Sequence, residues 1–229
     1  MAYQAGIQSA TYPRYSRNWL ATAGLLLAAA VAVRFAAHYA LPYFGFDPHV
    51  FKDFWPHRTR LILHISGGLL TLLLGPFQFW TGLRRRAMHI HKLTGKLYLF
   101  GVVIGAVGGY SLAVYSKPEG FAFALIIMST AWVLTTAVAF TAILRGLVNL
   151  HQEWMVRSYI VTFAFVNIRL LIDNLPFITV HLGGTLPERV INVVWVSWLL
   201  PLAVYELILQ ARKILASKTA ARVAPVFGD

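Results

Sequence analysis

The residues of this chain that could do chemistry are its eight histidines and a few arginines and carboxylates set inside long apolar stretches. His91 and His151 open two different apolar runs, in MHIHKLTGKLY and LHQEWMVRSY, from the same side and at similar depth. Two imidazoles so placed can ligate one metal ion or, axially, one haem iron, with His64 as a ligand at a second site. The protein would then supply ligands and dielectric, and the cofactor the redox chemistry. Arg157 and Arg169 would hold the haem propionates. The plainer alternative is that His, Lys and Arg simply mark helix ends, and this is the reading adopted for His89.

A second set lies toward the other end of the runs. Arg34 and His38 are four apart, and so share a helix face, as do Arg169 and Asp173, which can pair along their helix. His64 sits about one turn inside its own run. An ionisable group at the bilayer centre costs about 2.5–3.5 kcal/mol on insertion scales, so each needs a partner, a cavity or a reason. These five residues are expected to form a shared polar pocket, a binding site or proton relay for a small polar or ionic solute. The alternative has Arg34 snorkelling outward, Arg169–Asp173 as a structural ion pair and His64 bonded to a backbone carbonyl.

Two glycine patterns bear on how close these helices come. Gly101, Gly105 and Gly109 recur every four residues, with Gly108 beside them, and put small residues along one face. That face permits tight helix packing or, alternatively, a flat cofactor or lipid-like ligand lying against it. Ser66, Gly67, Gly68 and the Gly75-Pro76 step occur in the preceding run, where the proline should kink the helix and free a carbonyl. Gln78 follows and is placed to reach the end where His91 and His151 lie.

The elements that must position these groups are membrane spans. Of 229 residues, 58% are hydrophobic and 12% charged, about half the charged share of a soluble domain. The expected fold is all-α, a polytopic transmembrane bundle of about six spans near 19–43, 59–83, 91–115, 120–145, 153–177 and 187–215. Within lipid only helices and closed barrels satisfy their own backbone, and the runs are too long and continuous for barrel strands. Residues 1–17 form a polar N-terminal segment, too polar and long for a cleaved signal, and 216–229 a frayed basic tail. The absence of cysteine excludes disulfides, thiolate-held clusters and cysteine nucleophiles.

The net charge of +12 is not read as a nucleic-acid signal, because the basic residues flank apolar runs and no polar basic face is long enough to bind one. Arg14, Arg17, Arg84, Arg85, Arg86, Lys92, Lys96, Arg145, Arg157, Arg212, Lys213, Lys218 and Arg222 fall on one side. Lys52, Arg58, Arg60, Lys117 and Arg189 fall on the other. By the positive-inside rule both termini and the 2–3 and 4–5 loops are cytoplasmic, in a bacterial inner membrane. The 1–2 loop, FGFDPHVFKDFWPH, is an aromatic shelf in the opposite interface. No HExxH, Walker loop or serine triad assigns a self-contained catalytic centre.

The blocks LHISGGLLTLLLGPFQF, HKLTGKLYLFGVVIG, AWVLTTAVAF and HQEWMVRSYIVTFAFVNIRLL, in that order, resemble a bacterial membrane family catalogued as domain of unknown function 2306, over roughly residues 60–175. The matching positions are His64, Gly75, Gln78, His91, Gly95, Tyr98, Trp132, His151, Trp154, Met155, Arg157, Ser158 and Arg169. The resemblance implies a polytopic membrane protein and supplies no activity; Arg34, His38 and Glu206 lie outside it. A looser, architectural likeness is to transmembrane b-type cytochromes, which implies haem b between neighbouring helices.

Three functions follow as expectations. The first is a haem-binding, electron-transferring membrane protein. The second is a non-catalytic subunit, assembly factor or scaffold, with membrane lipids, complex subunits or a second copy as partners. The third is a carrier using the His64, Arg169 and Asp173 pocket.

Overall fold

The computed structural model describes residues 19–80, 86–117, 119–174 and 185–223. Six of its helices are long and apolar enough to cross a membrane. They are α1 (Trp19–Phe35), α2 (Arg58–Phe79), α3 (Met88–Ala113), α4 (Glu119–Leu144), α5 (Val148–Asp173) and α6 (Leu186–Val223). Large apolar side chains such as Leu27, Phe100, Val103, Leu134, Leu200 and Leu207 are exposed on its surface. That surface suits acyl chains and would be costly in water. The described residues contain no strand.

Successive spans alternate in direction, so the bundle has a shelf end, where α1 stops and α2 starts, and a basic end, where α3 and α5 start. α1 continues through a π-helical turn, Ala36–Ala40, and a 3-10 turn, Leu41–Gly45. The shelf is a single helical turn, Pro48–Phe51, and a 3-10 turn, Lys52–His57. At the basic end the chain departs from expectation. α5 starts at Val148, so His151 is inside its first turn, and α6 runs on to Val223, so much of the expected frayed tail is helical. At 1.5 Å per residue α6 is about 57 Å long, well beyond a ~30 Å hydrocarbon core. The N-terminal segment 1–17, Arg84, Arg85, His181 and the tail beyond Val223 lie outside the described residues.

The interfaces follow from small residues. α2 and α3 share the most extensive contact, because glycines let the two backbones meet. A Cβ built on Gly67 would stand 2.2 Å from the Gly105 nitrogen and 2.4 Å from the Gly101 oxygen. One built on Gly108 would meet the His64 backbone at 2.5 Å. The glycine face is therefore filled by α2, which leaves no room there for the flat ligand considered above.

α5 is the hub, and its polar side chains repair two proline breaks. Pro76 has no N–H for the Leu72 carbonyl one turn earlier. The Tyr159 hydroxyl donates to that carbonyl at 3.0 Å, and its ring lies over Gly75, where a Cβ would come within 1.9 Å of it. Pro201 in α6 frees the Ser197 carbonyl in the same way, and the Asn167 amide donates to it at 2.8 Å. Unsatisfied carbonyls in lipid cost several kcal/mol each, so these donors make both prolines tolerable.

Between the two ends, the centre of α3, α4 and α5 is joined by buried hydroxyls. Thr136 donates to the Trp132 carbonyl at 2.7 Å, so Ser158 donates to Thr136, also at 2.7 Å. Thr162 donates to the Ser158 carbonyl at 3.0 Å and accepts from the Trp132 indole at 2.8 Å. Tyr98 offers one proton to Ser158 and Thr162, 2.9 and 3.0 Å away. Every proton in this set is used within it, as a buried polar network requires. Tyr98, Trp132 and Ser158 are three of the positions that carried the family resemblance.

Candidate functional site

The charged residues gather at the two ends of the bundle. At the shelf end, Arg169 and Asp173 do not pair with each other as their spacing suggested; both turn to Tyr39. The Tyr39 hydroxyl donates to the Asp173 carboxylate. The Arg169 guanidinium lies over the Tyr39 ring, 5.1 Å from its centroid, and His38 meets the same ring edge-on at 4.6 Å. The reason is the π turn, which redirects the end of α1 so that His38 and Tyr39 face α5.

These groups border a cleft of about 330 Å³. Its walls are His38, Tyr39 and Tyr43 from the end of α1, Phe51, Lys52 and Asp53 from the shelf, and Arg169 from α5. Two departures from ordinary backbone fall on this cleft: the π turn, a form enriched at functional sites, and Lys52, whose φ of 49° with ψ of −126° is strained for a residue with a side chain. Asp173 is committed to Tyr39. Arg169 and Lys52 make no hydrogen bond or ion pair among the described residues, so their N–H donors are free. Arg34 is exposed and does not line the cleft.

His64 is a correction to the expected five-residue pocket. It points instead into the α2–α3 interface, its Nδ1 2.8 Å from the Gly105 carbonyl, its ring against Phe165 at 4.9 Å and beside Gly109. A carbonyl only accepts, so Nδ1 carries the proton and Nε2 the lone pair.

The basic end is organised around Arg157. Its Nε and Nη2 donate to both oxygens of Glu206 in α6, at 2.6 and 2.9 Å. Nη1 lies 3.8 Å from Glu153, which also binds Lys213 at 2.9 Å. The Trp154 and Tyr205 rings flank the guanidinium at 4.7 and 5.4 Å. Two of its three nitrogens are thus committed to Glu206, and the third, Nη1, is buried without a hydrogen bond among the described residues.

The histidines expected as metal or haem ligands each have their own surroundings. His151 is half-buried with Nδ1 on the Ala139 carbonyl of α4 at 2.9 Å. His91 is half-buried at the start of α3, three residues before Thr94, which accepts from Gln78 at 2.6 Å. His64 is at the Gly105 level. Among the described residues no group of three or more His, Cys, Asp or Glu could hold a metal ion, and neither cleft is lined by His64, His91 or His151.

Sequence reasoning missed Tyr39, Lys52, Asp53 and the Arg157–Glu206 pair. Glu206 carried a signal, being the one carboxylate between Arg189 and Arg212 in an apolar run. Tyr39 and Lys52 carried none, since their roles depend on the π turn and the shelf.

A six-helix bundle with lipid-facing sides and polar groups confined to its ends and a closed hydroxyl core defines a polytopic α-helical membrane protein. The chain belongs to the family described as predicted membrane protein (DUF2306), which matches residues 61–209. The match runs past the 60–175 expected and takes in Glu206 and most of the apolar part of α6. It leaves α1 and the shelf outside, so of the cleft walls only Arg169 falls within it. No curated protein and no solved structure matches the chain.

Proposed function

We propose that this protein is a membrane-embedded binding protein for a small amphipathic anion, taken up at the shelf-end cleft. The observation that carries the reading is the convergence of Arg169, Lys52, His38 and Tyr39 on one aromatic-walled cleft, where the two cations outnumber the one lining carboxylate, Asp53, and the backbone at the rim is strained. Arg169 presents its planar donors beside Tyr39, Tyr43 and Phe51. That combination fits a carboxylate or similar group attached to an apolar or aromatic body. Of the three expected functions this lies nearest the carrier, but the closed Tyr98–Ser158–Thr162 core supports binding at one face rather than passage through the bundle. Haem binding draws little support from the geometry, since the glycine face is filled by α2 and two of the Arg157 nitrogens are taken by Glu206.

Titration calorimetry on the detergent-purified chain tests this with 4-hydroxybenzoate and its uncharged analogue 4-hydroxybenzyl alcohol. The carboxylate should bind and the alcohol should not, and Arg169→Gln should weaken the carboxylate by about ten- to hundredfold, the usual worth of a charged hydrogen bond. Equal binding of both probes, or an unchanged Arg169→Gln protein, would overturn the reading.

We further propose that the basic end faces the cytoplasm, on the strength of the lysine and arginine count. The chain has no cysteine, so single replacements report sidedness cleanly. In intact cells an impermeant maleimide should label Lys52→Cys and leave Ser217→Cys unlabelled; the reverse pattern would invert the topology.

A further inference from the structure

The cluster around Arg157 holds two carboxylates, Glu153 and Glu206, and three cations, Arg157, Arg212 and Lys213. Arg157 takes Glu206, and Lys213 takes Glu153. Arg212 is the surplus charge: it is exposed and makes no ion pair or hydrogen bond among the described residues. It borders a second cleft, about 400 Å³, between α5 and α6 at the basic end. One side of this cleft is polar, with the Asn149 and Gln152 amides, Arg212 and the Glu153 carboxylate, whose charge Lys213 meets at 2.9 Å; the other is apolar, with Val156, Tyr205, Ile208 and Leu209.

We propose that this cleft binds the headgroup of an anionic phospholipid. Arg212 would meet the phosphate as a charge-assisted donor and the two amides would supply further hydrogen bonds. The first acyl carbons would lie along Val156, Ile208 and Leu209. Leu207, Val204 and Leu200, on the bilayer side of Arg212 along α6, are also exposed, so the helix continues as a surface for acyl chains. The selection for net negative charge comes from the pairing already described. Both carboxylates are engaged, so the ammonium of a zwitterionic lipid finds no free acid, whereas a phosphate finds an unpaired guanidinium. The cleft is independent of the shelf-end site and lies at the other end of the bundle.

Native mass spectrometry of the full chain tests this, with phosphatidylglycerol, phosphatidylcholine or inorganic phosphate titrated into the detergent-solubilised protein. Phosphatidylglycerol should be retained about tenfold better than phosphatidylcholine, and Arg212→Gln should remove that preference. Arg212 is exposed, so this variant should keep the parent's thermal melting. Val156→Trp, which fills the cleft while leaving Arg212 in place, should also lose the adduct. Equal retention of the two lipids, full retention by Arg212→Gln, or displacement of phosphatidylglycerol by millimolar phosphate would each overturn the proposal, the last by pointing to a free-phosphate site.

Discussion

Replacing Glu206 with alanine is expected to destabilise the bundle by about 2–3 kcal/mol. Arg157 is 9% exposed and holds both oxygens of Glu206. Removing one partner of a buried ion pair typically costs about 3–5 kcal/mol, because the remaining charge is left without compensation. The Glu206 side chain is 35% exposed and Glu153 lies 3.8 Å from the Arg157 Nη1. Both facts lower the figure, since solvent or headgroups screen part of the lost charge and Glu153 can take up some of it. Unfolding in mixed micelles measures the change. The double replacement Arg157→Met/Glu206→Leu should recover most of the loss, since it removes both charges and keeps the volume. If Glu206→Ala alone matched the parent, the pair would contribute nothing and α6 would be held by packing alone.

That pair also marks what the sequence could and could not convey. Six spans were legible because each must bury about 20 apolar residues, a demand that composition meets locally and visibly. The glycine face of α3 was legible for the same reason: a four-residue spacing defines a face whatever lies opposite. What lies opposite was not legible. Gly67 belongs to another helix, and the backbone contact depends on how two helices cross. Pro76 announced a freed carbonyl, but nothing in the sequence singled out Tyr159, 87 residues from Leu72, as the donor that would satisfy it.

The polar residues misled in an instructive way. Arg169 and Asp173 have the spacing of an in-helix ion pair, worth only about 0.2–0.5 kcal/mol on an isolated helix. A contact that weak yields readily to a tertiary alternative, and the π turn of α1 brings one in Tyr39. His64 was grouped with them on depth alone. Its face of α2 points at Gly105 instead, where a buried imidazole N–H finds a carbonyl. His151 was grouped with His91 on depth, and depth gave no sign that its ring would turn to the α4 backbone. Depth along the membrane normal is readable from hydropathy; rotation about each helix axis is decided by packing among helices that share one apolar composition.

Gly67→Ala should be among the most damaging single-methyl additions to the bundle. Its Cβ would stand 2.2 Å from the Gly105 nitrogen, 2.4 Å from the Gly101 oxygen and 2.5 Å from the Gly105 Cα. Ordinary contacts begin near 3.4 Å. All three neighbours are backbone, so no rotamer change relieves the clash and α2 must move off α3 by roughly 1 Å. Overpacking a core typically costs about 1–3 kcal/mol, and a clash with no flexible partner belongs at the top of that range or above it. The movement would also stretch the His64–Gly105 bond and loosen the packing of the Trp132 ring, which would stand 2.9 Å from a Cβ built on Gly105. Gly24→Ala is the matched control: it adds the same methyl to α1, where nothing lies within 4 Å, and should be neutral or slightly stabilising, as alanine is the better helix former. Thermal unfolding in detergent should therefore separate the two variants by about 3 kcal/mol or more. If they unfold together, α2 and α3 are not in backbone contact, and the close packing that orients His64 and closes the glycine face would have to be abandoned.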